Sequence, residues 1–304
     1  MKRYRWLVIT GSVILSLAAC EVMVRYTFLP LSSLHNGAVN VPDARGYALR
    51  PGASVEFRGI HEPLPQPVQW IVNKQGLRAD RTDSVPRISA KKRIAVFGDS
   101  EVFGWSVNYE NTFESVMMHE DPSLEVLNFG VPGYNAENIA DHVERMAPGF
   151  SLDGMIYLIN PNDLDPPLAY REATIDSELL RRIAFAYMSL TETDYVEHRK
   201  SDSVRIGFLK QVDRIVQYTQ THHIPLMLVC MNEDELRLLS DKRPLTREAA
   251  VTAISVYDVF TQSPKWDVHL SASGHNTLGQ RMLSEWRNFA SGLPMKDSKT
   301  LANN

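Results

Sequence analysis

A serine, an aspartate and a histidine that could act together as a nucleophilic site lie in two separate stretches of the sequence. Ser100 stands in FGDSEVFGW, directly behind an apolar run, and Asp267 and His269 stand in DVHLSASGH. A serine hydroxyl is a weak nucleophile until a base takes its proton, and an imidazole does this near neutral pH when a carboxylate orients it. The three residues are therefore a candidate nucleophile, orienting acid and general base.

Two further residues could bind the negative charge that develops when a serine attacks a carbonyl group. Gly133 lies in NFGVPGYN, and Asn162 lies in NPND. A glycine amide and an asparagine side-chain NH2 are suitable preorganised donors for such an oxyanion. Each motif alone is also typical of an ordinary turn or helix cap. Their ordered occurrence behind apolar runs favours a site.

The elements that must position these residues form an alternating pattern from Lys91 onwards, which predicts a parallel sheet covered by helices. The predicted strands cover residues 93–97, 124–129, 154–159, 225–231 and 254–259. The predicted helices cover residues 112–119, 135–146 and 202–222, and a last one begins near Ser271. Because ligands bind beyond the carboxyl ends of parallel strands, we expect the polar motifs to meet at that edge.

The motifs resemble the blocks of the SGNH, or GDSL-type, hydrolase family. VFGDS is similar to the first block, NFGVPG to the second, NPND to the third and DVHLSASGH to the last, over about residues 91–290. The resemblance implies an α/β fold, namely a flavodoxin-like three-layer α/β/α sandwich with a central parallel sheet. It also implies an esterase that forms an acyl-serine intermediate and needs no metal and no cofactor.

Carried over residue by residue, the resemblance implies that Ser100 is the nucleophile and also an oxyanion donor through its backbone amide. Gly133 and Asn162 would supply the other donors, and His269 would be the base. Asp267 is the acid that matches best.

Two positions depart from the family pattern. Asn160 stands where the third block usually begins with glycine, and Trp266 stands where the acid often lies, three residues before the histidine. We assign Asp99 and Asp163 to the organisation of the turns.

The N-terminus predicts attachment to a membrane. Basic residues precede an apolar stretch over residues 6–24, which is close to the length of a spanning helix. The sequence LAAC, ending at Cys20, also resembles a lipoprotein lipidation signal, so an uncleaved anchor and a lipidated Cys20 are both open. The motifs CEVMVR, GYALRPG and VNKQGLRAD resemble the lead-in of membrane-anchored bacterial members. We therefore expect a catalytic domain outside the cytoplasm, in the periplasm or beyond.

Composition bounds the remaining possibilities. The chain has 304 residues and a net charge of -4, with no block of basic residues, so nucleic acid is not an expected partner. Its two cysteines predict neither a disulfide framework nor a metal site. We divide the chain into a signal-anchor segment (1–29), a stalk or small cap (30–90), the α/β domain (91–291) and a disordered tail (292–304).

Three functions are consistent with these features. The first is hydrolysis of small acyl esters, above all O-acetyl groups, on an acylated small molecule or an extracytoplasmic polysaccharide. The second is transfer of an acyl group to a glycan hydroxyl, and the third is a catalytically inactive glycan-binding or scaffolding module, which the altered Asn160 position keeps open. Residues 165–201 form a long insertion that is either a lid or a packed amphipathic helix.

Overall fold

The structure is a computed structural model, and it describes most of the α/β region together with parts of the N-terminal third. The described residues are 2–27, 39–43, 46–58, 64–165, 177, 179–180, 183, 199–242, 250–266 and 268–293. The predicted acid Asp267 and most of the insertion after Asp165 lie outside these residues, and so does the tail from residue 294.

A five-stranded parallel sheet forms the centre of the fold. Its strands are β5 (Lys92–Gly98), β6 (Leu124–Gly130), β7 (Gly154–Ile159), β8 (Leu226–Cys230) and β9 (Val251–Ser255), in the order β6-β5-β7-β8-β9. All neighbouring pairs in this sheet run parallel. The inner strands are apolar on both faces because helices cover both faces. The predicted α/β class with a central parallel sheet is confirmed.

Helices pack on the two faces of this sheet and form two hydrophobic cores. The helices of the described residues are α1 (Lys2–Thr27), α2 (Ser100–Phe103), α3 (Phe113–Glu120), α4 (Ala136–Met146), α5 (Asp202–Thr221), α6 (Glu233–Lys242), α7 (Tyr257–Gln262) and α8 (Ala272–Ser291). Ala95 and Phe97 of β5 join one core with α4 and α5, whereas Ile94 and Val96 join the other with α3 and α8. This alternation is the side-chain period of a strand.

The last predicted strand is displaced in the structure. The sequence favours a strand over 254–259, but β9 covers Val251–Ser255 and α7 begins at Tyr257. Asp258 occupies the first turn of that helix, where an acidic side chain is favourable. A short apolar run does not show whether its residues repeat with the period of a strand or of a helix, so the boundary between β9 and α7 was misplaced.

Two short antiparallel hairpins precede the sheet, within the segment predicted as a stalk or small cap. The first pairs β1 (Asn40–Asp43) with β2 (Gly46–Leu49), and the second pairs β3 (Ser54–Phe57) with β4 (Val68–Ile71). Their buried residues, among them Tyr47 and Trp70, belong to the same core as Phe97 of the central sheet. Isolated hairpins of this size are marginal in water, so packing on the α/β domain stabilises them.

Helix α1 covers most of the N-terminal segment for which a spanning helix is predicted. Within the part of the chain that the structure describes, no helix is both long enough and apolar enough to cross a membrane. The attachment of this segment to a membrane stays a prediction.

Candidate active site

Ser100 is the first residue of helix α2, at the carboxyl end of β5. The helix lies so close to β6 that a Cβ atom at Gly130 would overlap the backbone of Phe103. Asn128 also holds the helix, because its side-chain NH2 donates to Val102 O and its side-chain oxygen accepts from the Gly130 amide. Glycine at the end of β6 is what lets this turn of helix rest on the sheet.

His269 faces Ser100 from the short strand β11 (His269–Leu270), which pairs with the equally short β10 (Lys265–Trp266). The two side chains form a hydrogen bond, with His269 Nε2 at 2.9 Å from Ser100 Oγ. This distance and this choice of ring nitrogen suit removal of the hydroxyl proton by a neutral imidazole. The structure thus brings together two of the three residues predicted as nucleophile, acid and base. Asp267, the third, remains a prediction.

An aromatic wall stands beside His269. The Trp105 ring lies with its centroid 5.7 Å from that of His269. Behind it, Trp70 of β4 donates its indole N–H to Trp105 O at 3.1 Å, and Phe57 of β3 stacks on Trp70 at 3.9 Å. The second hairpin therefore supports one side of the site.

Asn162 contacts Asp99, the residue that precedes Ser100. Its side-chain NH2 donates to Asp99 Oδ2 at 3.0 Å, and Asn160 donates to the same oxygen at 2.8 Å. The other oxygen of Asp99 accepts from the Glu101 amide at 3.1 Å. One N–H of Asn162 is used in this contact, so its second N–H can serve as an oxyanion donor. The structure thus places Asn162 against Asp99, the residue before Ser100, and its role as an oxyanion donor remains a prediction.

The buried carboxyl groups around this turn have perturbed pKa values. Burial is the main cause that raises the pKa of Asp99, against the opposing effect of its hydrogen bonds. Burial and the charge of Asp99 also raise the pKa of Asp163 well above its usual range. Asp163 Oδ2 accepts from Tyr157 Oη at 2.8 Å and from the Asn160 amide at 3.0 Å. Both aspartates therefore have contacts that organise the turns, as the sequence predicted.

Gly133 lies in the loop after β6, next to the end of β5. The loop is tied there because the Val131 amide donates to Gly98 O at 3.1 Å. Gly133 has φ of 81°, and a Cβ atom at this position would lie 2.9 Å from Tyr47 Oη. Tyr47 in turn donates to Pro132 O at 2.6 Å. The backbone conformation therefore favours glycine, and a Cβ atom would also force the Tyr47 hydroxyl to shift.

Two further observations on the described residues concern metal ligands and His275. Among the described residues, no group of three or more His, Cys, Asp or Glu side chains could hold a metal ion. His275 lies in the first turns of α8, as predicted, and is fully buried against Phe113. Burial, followed by the proximity of His269, lowers the pKa of His275 to about 3, which keeps its ring neutral.

Three residues near the site were not predicted from the sequence. Glu101 and Ser106 both contact the backbone of Leu270, which follows His269, and Tyr47 lies under the Gly133 loop. A charged residue directly behind the candidate nucleophile is the one signal that could have pointed to Glu101.

Comparison with known proteins finds solved structures that are similar to this chain only at low sequence identity. No protein-family model matches the sequence, and no curated protein matches it at a significant level. A member of the lipolytic protein G-D-S-L family from Veillonella parvula DSM 2008 is similar at 14% identity and a TM-score of 0.42, over 64% of this chain and 98% of that chain.

Two further solved structures are similar at the same level. For a carbohydrate acetylesterase family member from Sinorhizobium meliloti, the identity is 15% and the TM-score 0.41, over 65% of this chain and 98% of that chain. For the M. smegmatis aryl esterase, the identity is 14% and the TM-score 0.44, over 65% and 99%. Because the similarity is this low, we assign residue roles in this chain from its own contacts.

Proposed function

We propose that this chain is a serine esterase that hydrolyses small acyl esters through an acyl-serine intermediate. The observation that carries the proposal is the 2.9 Å hydrogen bond between Ser100 Oγ and His269 Nε2 at the carboxyl edge of the sheet. A serine paired with an imidazole in this way is an activated nucleophile. The neighbouring Asn162 and the Gly133 loop supply the donors that acyl chemistry requires.

In the first half of the reaction, Ser100 Oγ attacks the ester carbonyl carbon while His269 Nε2 takes the hydroxyl proton. The carbonyl oxygen becomes an oxyanion, which accepts hydrogen bonds from the Ser100 amide, the Gly133 amide and the Asn162 NH2. The bond between the carbonyl carbon and the alcohol oxygen then breaks, and His269 returns its proton to that oxygen. The alcohol leaves, and the acyl group remains on Ser100.

In the second half, water replaces the alcohol. His269 Nε2 takes a proton from the water as its oxygen attacks the acyl carbon, and the same three donors hold the second oxyanion. Cleavage of the bond to Ser100 Oγ releases the carboxylic acid, and the proton on His269 passes to the serine oxygen. Both residues are then as they began.

The altered third block is compatible with the proposed machinery. Asn160 shares Asp99 Oδ2 with Asn162 and leaves the Ser100–His269 hydrogen bond in place. Asn160, the residue that kept an inactive binding module open, therefore has a structural role as a second hydrogen-bond donor to Asp99.

We propose O-acetyl esters of an extracytoplasmic carbohydrate as the substrate. The proposal is supported by the N-terminal sequence, where Lys2, Arg3 and Arg5 precede the apolar residues 6–24. We therefore propose that the catalytic domain lies outside the cytoplasm and is held at the membrane by the N-terminal segment. Intact-mass spectrometry of the membrane fraction tests the mode of attachment, because a lipidated chain begins at Cys20 and an uncleaved one at Met1. A full-length chain recovered in the cytoplasm would contradict this location.

Labelling by a fluorophosphonate, followed by peptide mapping, tests the activity. We expect the label on Ser100 and none on the Ser100→Ala protein, together with release of p-nitrophenol from p-nitrophenyl acetate by the wild type. A folded wild-type protein that neither reacts nor turns over would overturn the esterase proposal. Transfer of acetyl to an added glycan in preference to water would assign the protein to acyl transfer.

A further inference from the structure

The strand that carries His269 is too short to hold itself in place. Strand β11 (His269–Leu270) pairs antiparallel with β10 (Lys265–Trp266), and each strand has two residues. This hairpin is separate from the central sheet. A ladder of this length is not stable in isolation, so contacts from elsewhere must fix the position of His269.

Several such contacts are made by Leu270, the residue after His269. Its amide donates to both carboxylate oxygens of Glu101, at 3.2 and 3.4 Å. Its carbonyl accepts from Ser106 Oγ at 2.6 Å. The Leu270 side chain is fully buried in the core formed with α3 and α8. Both backbone polar groups of Leu270 are therefore held by side chains.

The two side chains belong to the segment that carries the nucleophile. Glu101 directly follows Ser100, and Ser106 lies five residues further along the chain. Glu101 is 2% exposed, and a buried carboxylate is costly unless hydrogen bonds compensate for lost water. The hydrogen bond from the Leu270 amide therefore helps to compensate for the burial of this carboxylate.

We propose that Glu101 and Ser106 are positioning residues that set the distance between Ser100 and His269. The inference rests on the proposed function, since it concerns the geometry of the proposed nucleophile and base. Glu101 acts through its oxygen as an acceptor for the Leu270 amide, and Ser106 acts through its hydroxyl. Neither residue is assigned a contact with substrate.

Substitution of Glu101 separates the acceptor from the charge. Glu101→Gln keeps an acceptor oxygen, and we expect it to retain kcat/KM on p-nitrophenyl acetate to within about threefold. Glu101→Leu removes the acceptor at similar size, and we expect kcat to fall by about 10- to 100-fold with little change in KM, because a misplacement of about 1 Å can cost that much. Ser106→Ala should have a smaller effect in the same direction.

Two controls distinguish positioning from a general structural role. Glu110→Gln, at an exposed residue of the same segment, should leave the activity unchanged. In the His269→Ala background, Glu101→Leu should lower the remaining activity by less than about twofold, because a residue that acts through His269 has nothing left to position. An equal loss in both backgrounds would overturn the proposal, and so would full activity of folded Glu101→Leu.

A measurement without turnover keeps this inference separate from the esterase proposal. Hydrogen exchange of the Leu270 amide, followed by NMR, should be about tenfold faster or more in Glu101→Leu than in Glu110→Gln, because its acceptor is gone. If Glu101→Leu does not fold, Ser106→Ala and Glu101→Gln are measured in the same assays. Unchanged exchange would overturn the contact even if the enzyme is active. Faster exchange in a protein without esterase activity would preserve the contact and reject the function.

Discussion

Asn160 and Asn162 donate to the same oxygen of Asp99, at 2.8 and 3.0 Å. Asn160, which stands where the SGNH pattern usually has glycine, is therefore a second hydrogen-bond donor to the carboxylate that precedes Ser100. Asp99 in turn connects this loop to the turn that carries Ser100. Because each asparagine makes its own hydrogen bond to Asp99, the effect of each on catalysis can be measured by substituting it alone.

Asn162→Ala should lower kcat on an activated acetyl ester by about 10²-fold or more, because one oxyanion donor typically contributes about 3 kcal/mol to the transition state. Steady-state kinetics with circular dichroism provide the measurement. Asn288→Ala, at an exposed position of α8, is the control. Unchanged turnover in folded Asn162→Ala would remove this residue from the site.

Asp267→Asn should lower kcat/KM by up to about 10⁴-fold if Asp267 orients His269, because the amide favours the wrong imidazole tautomer. The matched comparison is Asp163→Asn, whose amide oxygen can still accept from Tyr157, so we expect much of the activity to remain. Near-wild-type activity in the first variant and collapse in the second would show that the acid was wrongly assigned.

Gly133→Ala should lower kcat by about tenfold or more, since φ of 81° and the nearby Tyr47 hydroxyl both oppose a side chain at a position whose amide we propose as an oxyanion donor. Gly52→Ala is a control with the same kind of strain, because Gly52 has φ of 75° and open space around it. Both variants should lose stability, and Gly133→Ala alone should lose activity. Equal activity of the two folded variants would argue against an oxyanion role for Gly133.

Glu114→Gln should stabilise the protein most at neutral and mildly alkaline pH. Burial raises the pKa of Glu114 from 4.5 to about 8, so the folded state retains a proton that the unfolded state has lost. Between these two pKa values the wild type loses about 1.4 kcal/mol of stability per pH unit through this group, and the loss levels off above the folded pKa.

Urea unfolding of the wild type and the Gln variant from pH 5 to pH 8.5 measures this difference. The gap between them should widen with rising pH. The exposed Glu110→Gln protein should instead follow the wild type. A gap that stays constant across the range would mean that Glu114 ionises normally in the folded protein.

The sequence by itself determined the type of fold and the candidate chemistry. The run predicted over 154–159 is β7 with the same boundaries, and Asn135 caps the helix predicted from that residue. Ser100 was found from its residue type and its position behind an apolar run, and His269 from its residue type and its position just before the last helix. Strand and helix positions depend on residues that are close in sequence, so the spacing of apolar residues indicates them. The last strand was misplaced because its apolar run carries no clear period.

Only the tertiary structure decided which distant groups meet. The hydrogen bond between Ser100 and His269 spans 169 positions of the chain, and the contact of Glu101 with the Leu270 amide joins the same two segments. Apart from the charge of Glu101 directly behind Ser100, the local sequence pattern does not mark such contacts, because they depend on the paths of loops and on backbone groups that every residue possesses. Tyr47 and Trp70 likewise became part of the site's support because short hairpins must bury their apolar face against a larger core.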